Sequence, residues 1–117
     1  MDDLELREAL AFEVIGVADG SVYAPNDAEA RENFLRGAKQ AIANGPAYES
    51  SYEGMGLVIE AMERKGWDCA IEFAHSMAFV AFATIGHKPW EYIEREEALT
   101  APRAVALAAL AAIRSEK

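Results

Sequence analysis

The stretch from Trp67 to Gly86 constrains the fold more than any other part of the chain, because it is apolar almost without interruption. Placed on a helix, Ile71, Phe73, Met77, Phe79, Val80, Phe82 and Ile85, with the alanines between them, cover nearly the whole circumference. A helix apolar on all sides must be enclosed on all sides. Glu72, His75 and the many alanines argue for a buried core helix rather than a membrane span. The other helices, or a second copy of the chain, must cover it.

The rest of the 117 residues reads as helix separated by conventional punctuation. Leu6, Leu10, Val14 and Val17 recur at helical spacing over residues 3–18, behind an acidic first turn at Asp2, Asp3 and Glu5. Asn26 with Glu29, and Ser50 with Glu53, are capping-box pairs that open a second and a third helix. Asn44-Gly45-Pro46 and Arg64-Lys65-Gly66 close them. Gly54 and Gly56 weaken the third helix and invite a close crossing. Pro89 suits the first turn of a short acidic fifth helix reaching Ala98, and Thr100 caps an alanine-rich sixth over 103–114, small enough in section to be sandwiched. No segment of four or more residues alternates cleanly between apolar and polar, and Val14-Ile15-Gly16-Val17 is the one stretch that suggests a strand. The expected fold is therefore all-α: a compact bundle of five or six helices around a central apolar helix of about residues 67–86, in one domain spanning 1–117.

Charge narrows the partners. The net charge is −9, and residues 1–20 alone carry six acids against one base. A second acidic cluster lies at Glu91, Glu94, Glu96 and Glu97. Such a field repels nucleic acid and anionic membrane and attracts basic protein surfaces. The longest run of bases is Arg64-Lys65, so no nucleic-acid footprint is present. The opening Met1-Asp2-Asp3 lacks the basic and apolar regions of a secretion signal, and the single cysteine, Cys69, allows no intrachain disulfide; a cytoplasmic protein is expected.

Chemistry is sparse. Glu72-x-x-His75 is the sharpest pattern, because i and i+3 share a helix face and this spacing forms half of a carboxylate-bridged di-iron site. A full site needs a second such pair, and His87 has no glutamate three residues before it, so only a dimer with carboxylates such as Glu60 and Glu63 would complete it. The simpler reading is a polar strip of Glu72, His75 and Ser76, and no cofactor is expected. Cys69 lacks a base and a glycine-rich elbow and reads as a small core residue.

The aromatics Tyr23, Tyr48, Tyr52, Trp67, Trp90 and Tyr92 fall in loops or near helix ends, with Trp67 and Trp90 read first as caps on the core. Trp90, Glu91, Tyr92, Glu94, Glu96 and Glu97 combine aromatic and acidic groups on one short helix and make the first candidate docking surface. Asp2, Asp3, Glu5 and Glu8 make the second. The expected function is that of a non-enzymatic acidic inhibitor that docks on a basic, nucleic-acid-handling protein. Phage anti-defence proteins of the anti-CRISPR kind and toxin immunity proteins work in that way. The alternative is a homo-oligomer holding a small ligand between subunits, with the dimer-built metal site at Glu72 and His75 a third reading.

Overall fold

Residues 67–84, expected as the central helix of an all-α bundle, form a β-hairpin. The chain is described by a computed structural model over residues 1–19, 26–84, 94–98 and 100–115. Its elements are α1 (Asp3–Ala9), which continues as a π-helical segment (Leu10–Ile15), α2 (Ala28–Ala43), α3 (Tyr52–Arg64), β1 (Trp67–Ala74), β2 (Met77–Thr84), β3 (Glu94–Ala98) and α4 (Ala101–Ser115). The fold is thus α+β. Among the described residues, four helices pack with an antiparallel sheet of order β1-β2-β3.

The hairpin follows from two features. The first is alternation, visible once alanine is treated as neutral. Trp67, Cys69, Ile71 and Phe73 take one face of β1, and Asp68, Ala70, Glu72 and Ala74 take the other. The register Trp67↔Thr84 through Ala74↔Met77 puts the large side chains beside Ala78, Val80 and Phe82. The second is a two-residue turn. His75 and Ser76 both adopt left-handed backbone, at φ +52° and +63°, as a type I′ hairpin turn requires. Neither residue is glycine, asparagine or aspartate, which is why the turn gives no sequence signal. An apolar run is equally compatible with a buried helix and a buried strand, and here β-branched and aromatic residues tip it to strand.

The expected fifth helix is also overturned where it can be seen. Residues 94–98 form β3, paired through Ala78↔Ala98 to Phe82↔Glu94. Residues 89–93 lie outside the described residues. The enclosed helix is α4 instead. Ala101, Ala104, Val105, Ala106, Ala108, Ala109, Leu110, Ala112 and Ile113 are all buried, and Arg103, Leu107 and Ala111 form the one outward stripe. α4 touches β2 and β3 as well as α3, the π-segment and α1, so its alanines let a sheet and helices approach it together. This bears out the sandwiched reading of 103–114.

The other helices follow their caps. Asp2 caps α1, with Glu5 N–H donating to its carboxylate at 2.8 Å. Asp27, one residue beyond the expected Asn26, caps α2 through Ala30 N–H, and Ser51 rather than Ser50 caps α3 through Gly54 N–H. The expected first helix does not run to Ala18: it widens into the π-segment and stops at Gly16, φ +94°, and no strand forms there. Leu6, Leu10 and Val14 still line its buried face. Gly54 approaches not another helix but its own capping loop: a Cβ there would collide with the Ala47 carbonyl and lie 2.7 Å from Tyr48 Cα. Gly56 has open space around its Cβ direction. Among the described residues, no helix is long and apolar enough to cross a membrane.

Candidate functional site

The N-terminal acids, expected as a docking surface, are mostly engaged within the molecule. Asp2 accepts the capping hydrogen bonds at the start of α1, which hold its carboxyl below the usual range. Arg103 on α4 donates to Asp3 at 2.6 Å. Lys39 on α2 lies 3.8 Å from Glu8. Arg114, near the other end of α4, grips Glu13 with two hydrogen bonds of 2.8 and 3.0 Å, which raises the basicity of its guanidinium. Glu5 is exposed. Asp3, Glu8 and Glu13 thus join α1 and the π-segment to α4 and α2, while Asp2, Asp3 and Glu5 remain exposed to solvent.

One carboxylate that sequence reading missed is fully buried. Glu49, in the loop before α3, receives Arg7 Nε at 2.6 Å, while Arg7 Nη1 donates to the Ala43 carbonyl at 3.1 Å. The pair ties α1 to both ends of the 44–51 connection. Its role is architectural, since a carboxylate closed off from solvent offers nothing to a partner.

The chemical patterns lose their geometry on a strand. Glu72 and His75 no longer share a helix face: Glu72 lies in β1 and His75 occupies the turn. Among the described residues, no group of three His, Cys, Asp or Glu side chains comes close enough to hold a metal ion. Glu60 pairs with Arg64 at 3.1 Å, and His87 lies outside the described residues. Cys69 is half-buried in β1; burial, with the Glu63 charge beside it, pushes its thiol up to about 11. A thiol held neutral is a poor nucleophile. A shallow groove of about 620 Å³ between the π-segment and α2 sets Phe12 and Leu35 among Arg31, Lys39, Glu13 and Glu32. Its lining carries charges of both signs, with Glu13, Asp19 and Glu32 beside Arg31 and Lys39.

The hairpin is different. Along the face that carries Trp67, exposure rises steadily toward the turn, from 1% at Trp67 to 36% at Ile71 and 67% at Phe73. The face that begins under the helices therefore emerges from them, with a phenylalanine in water at its tip. Asp68 and Glu72 are exposed on the opposite face. In register across β2, β3 brings Glu94, Glu96 and Glu97 opposite Phe82, Val80 and Phe79. The three strands hold five acids and one base, Arg95. Of the first docking surface read from sequence, Glu94, Glu96 and Glu97 thus lie on a strand and not a helix. Trp90, Glu91 and Tyr92 lie outside the described residues. Ile71 and Phe73 were read as core and turn out to be the exposed apolar groups of the sheet. Of the remaining aromatics, Trp67 and Tyr48 are buried, Tyr52 is exposed and Tyr23 lies outside the described residues. Comparison with family models, with curated proteins and with solved structures returns no match to this chain.

Proposed function

We propose that the protein is a non-enzymatic binding protein that docks on a basic protein partner through its acidic hairpin and sheet. The observation that carries this reading is the tip of the hairpin: a phenylalanine two-thirds exposed, with Ile71 behind it and acids on the strands around it. Isolated exposed apolar residues are ordinary, but two on one strand, in a sheet whose strands hold five acids against one base, suit an anchor in a partner's pocket with charge recognition beside it. The net charge of −9 would steer a basic partner to the surface and keep nucleic acid away. An inhibitor of a basic nuclease or RNA-guided complex, acting in the cytoplasm, is the setting this chemistry fits best.

The test is binding to a panel of basic nucleases and RNA-guided effector complexes between about 50 and 300 mM salt. Affinity should fall steeply as salt rises. Phe73→Ser and Glu72→Lys, both at exposed positions, should each weaken binding by about tenfold or more while leaving the fold intact. Affinity indifferent to salt, or unchanged in both variants, refutes the proposal.

A further inference from the structure

We infer that β1 is the docking element itself and accepts an added strand: an extended segment of the partner in which basic and apolar residues alternate. This rests on the reading of the hairpin as the docking surface and names the mode of binding.

The argument begins at the turn. A two-residue loop at His75-Ser76 closes between Ala74 and Met77, which fixes the alternation of the whole ladder. Ala70, Glu72 and Ala74 turn their N–H and C=O groups toward β2. Cys69, Ile71 and Phe73 turn theirs away from it. Among the described residues β1 is the outermost strand of the order β1-β2-β3, so those groups face outward from the sheet. Ala70, Ile71, Glu72 and Phe73 are all exposed, so this edge is open to solvent.

Proteins usually blunt such an edge with proline, lysine, a bulge or a very short strand. β1 has none of these: it is eight residues long, contains neither proline nor lysine, and pairs in unbroken register. Its only guards are Asp68 and Glu72. They select against a second copy. Outward residues can pair only with outward residues, which leaves three central antiparallel registers between two β1 strands. Centring on Ala70 sets Glu72 against Asp68, and centring on Glu72 sets that carboxylate against itself. Only the register centred on Ile71 avoids direct opposition, and it still joins two chains of net charge −9. A basic strand meets the opposite situation. Its cations would lie across from Asp68 and Glu72 on one face, and its apolar side chains beside Ile71 and Phe73 on the other. Main-chain hydrogen bonds would supply affinity and the alternation would supply selectivity.

Residue-resolved amide exchange tests this, with a peptide of about eight residues alternating lysine and valine as the probe. A second peptide of identical sequence carries N-methyl groups on the edge that would face β1, which keeps its charge and removes its donors. In the protein alone, Ala70 and Glu72 amides should exchange slowly and Ile71 and Phe73 amides fast. The unmethylated peptide should slow Cys69, Ile71 and Phe73 by about tenfold or more, and the methylated one should not. If both peptides bind equally and those amides remain fast, strand addition is refuted while acidic docking stands. If neither binds although the salt-dependent titration against basic proteins succeeds, strand addition again fails alone. If that titration fails too, the docking reading falls with it. Slowing that grows with protein concentration, without peptide, would identify a second copy as the occupant and overturn the inference.

Discussion

Replacing His75-Ser76 by Asn-Gly reverses sign between the two architectures this sequence suggests, and so tests the hairpin directly. Both residues sit in left-handed backbone, at φ +52° and +63°. That conformation costs an L-residue roughly 1–2 kcal/mol. Asparagine tolerates it better than most, and glycine adopts it freely, at an unfolded-state entropy cost of about 0.5–1 kcal/mol. The net expectation for His75→Asn with Ser76→Gly is a gain of about 1–2 kcal/mol. For a chain of this size that is a rise in Tm of roughly 3–8 °C. In the middle of a helix over 67–86, the same pair would lower stability by roughly 0.5–1 kcal/mol, since both are poorer helix formers than the residues they replace. The assay is urea unfolding followed by far-ultraviolet circular dichroism, with thermal melts in parallel. His75→Ala with Ser76→Ala serves as the mirror experiment: it favours a helix and disfavours the turn. Destabilisation by Asn-Gly together with stabilisation by Ala-Ala would refute the hairpin and everything built on its register.

Other outcomes follow from local geometry. Arg7→Ala should destabilise by about 3–5 kcal/mol in denaturant titration, because it leaves the Glu49 carboxylate buried without its cation; Arg7→Ala with Glu49→Ala should cost less than the sum of the single changes. Gly54→Ala should cost about 1–3 kcal/mol from collision with the Ala47 carbonyl, whereas Gly56→Ala, with open space around it, should gain about 0.5–1 kcal/mol; equal effects at the two positions would contradict the packing of the capping loop. The Cys69 thiol, ordinarily near 9 and raised to about 11 by burial, should resist alkylation at pH 8 in the native protein and react on unfolding. The folded chain holds this proton more tightly than the unfolded one, so stability falls as pH climbs through the 9–11 window, and Cys69→Ala should flatten that decline.

The helices were legible because their ends carry chemistry. Asp27 and Ser51 lie within one residue of the expected caps, Asp2 belongs to the expected acidic first turn, and Gly66 ends α3 in left-handed backbone as glycine after Arg-Lys suggests. The sheet was hidden for three physical reasons. Alanine fits both a helix and a strand, so counting it as apolar erased the period of two in Trp67-Asp68-Cys69-Ala70-Ile71-Glu72-Phe73. The turn uses histidine and serine where sequence reading looks for asparagine or glycine. Glu94-Arg95-Glu96-Glu97-Ala98 has strong helical preference and becomes a strand through tertiary contacts, pairing with β2 and lying against α4. The candidate site was legible in part. The acids of β3 stood out by composition, but Ile71 and Phe73 could be seen as exposed only once the register carried them beyond the helices.

The burial of α4 has a consequence for how the chain reaches this state. β2, β3, α3, the π-segment and α1 all lean on α4, and the Arg103–Asp3 and Arg114–Glu13 pairs join positions about a hundred residues apart. During synthesis the sheet and the earlier helices emerge before the helix that unites them. The nascent polypeptide therefore carries the uncovered apolar face of β2, with Val80 and Phe82, until α4 leaves the ribosome, and assembly must wait for contacts between distant parts of the chain.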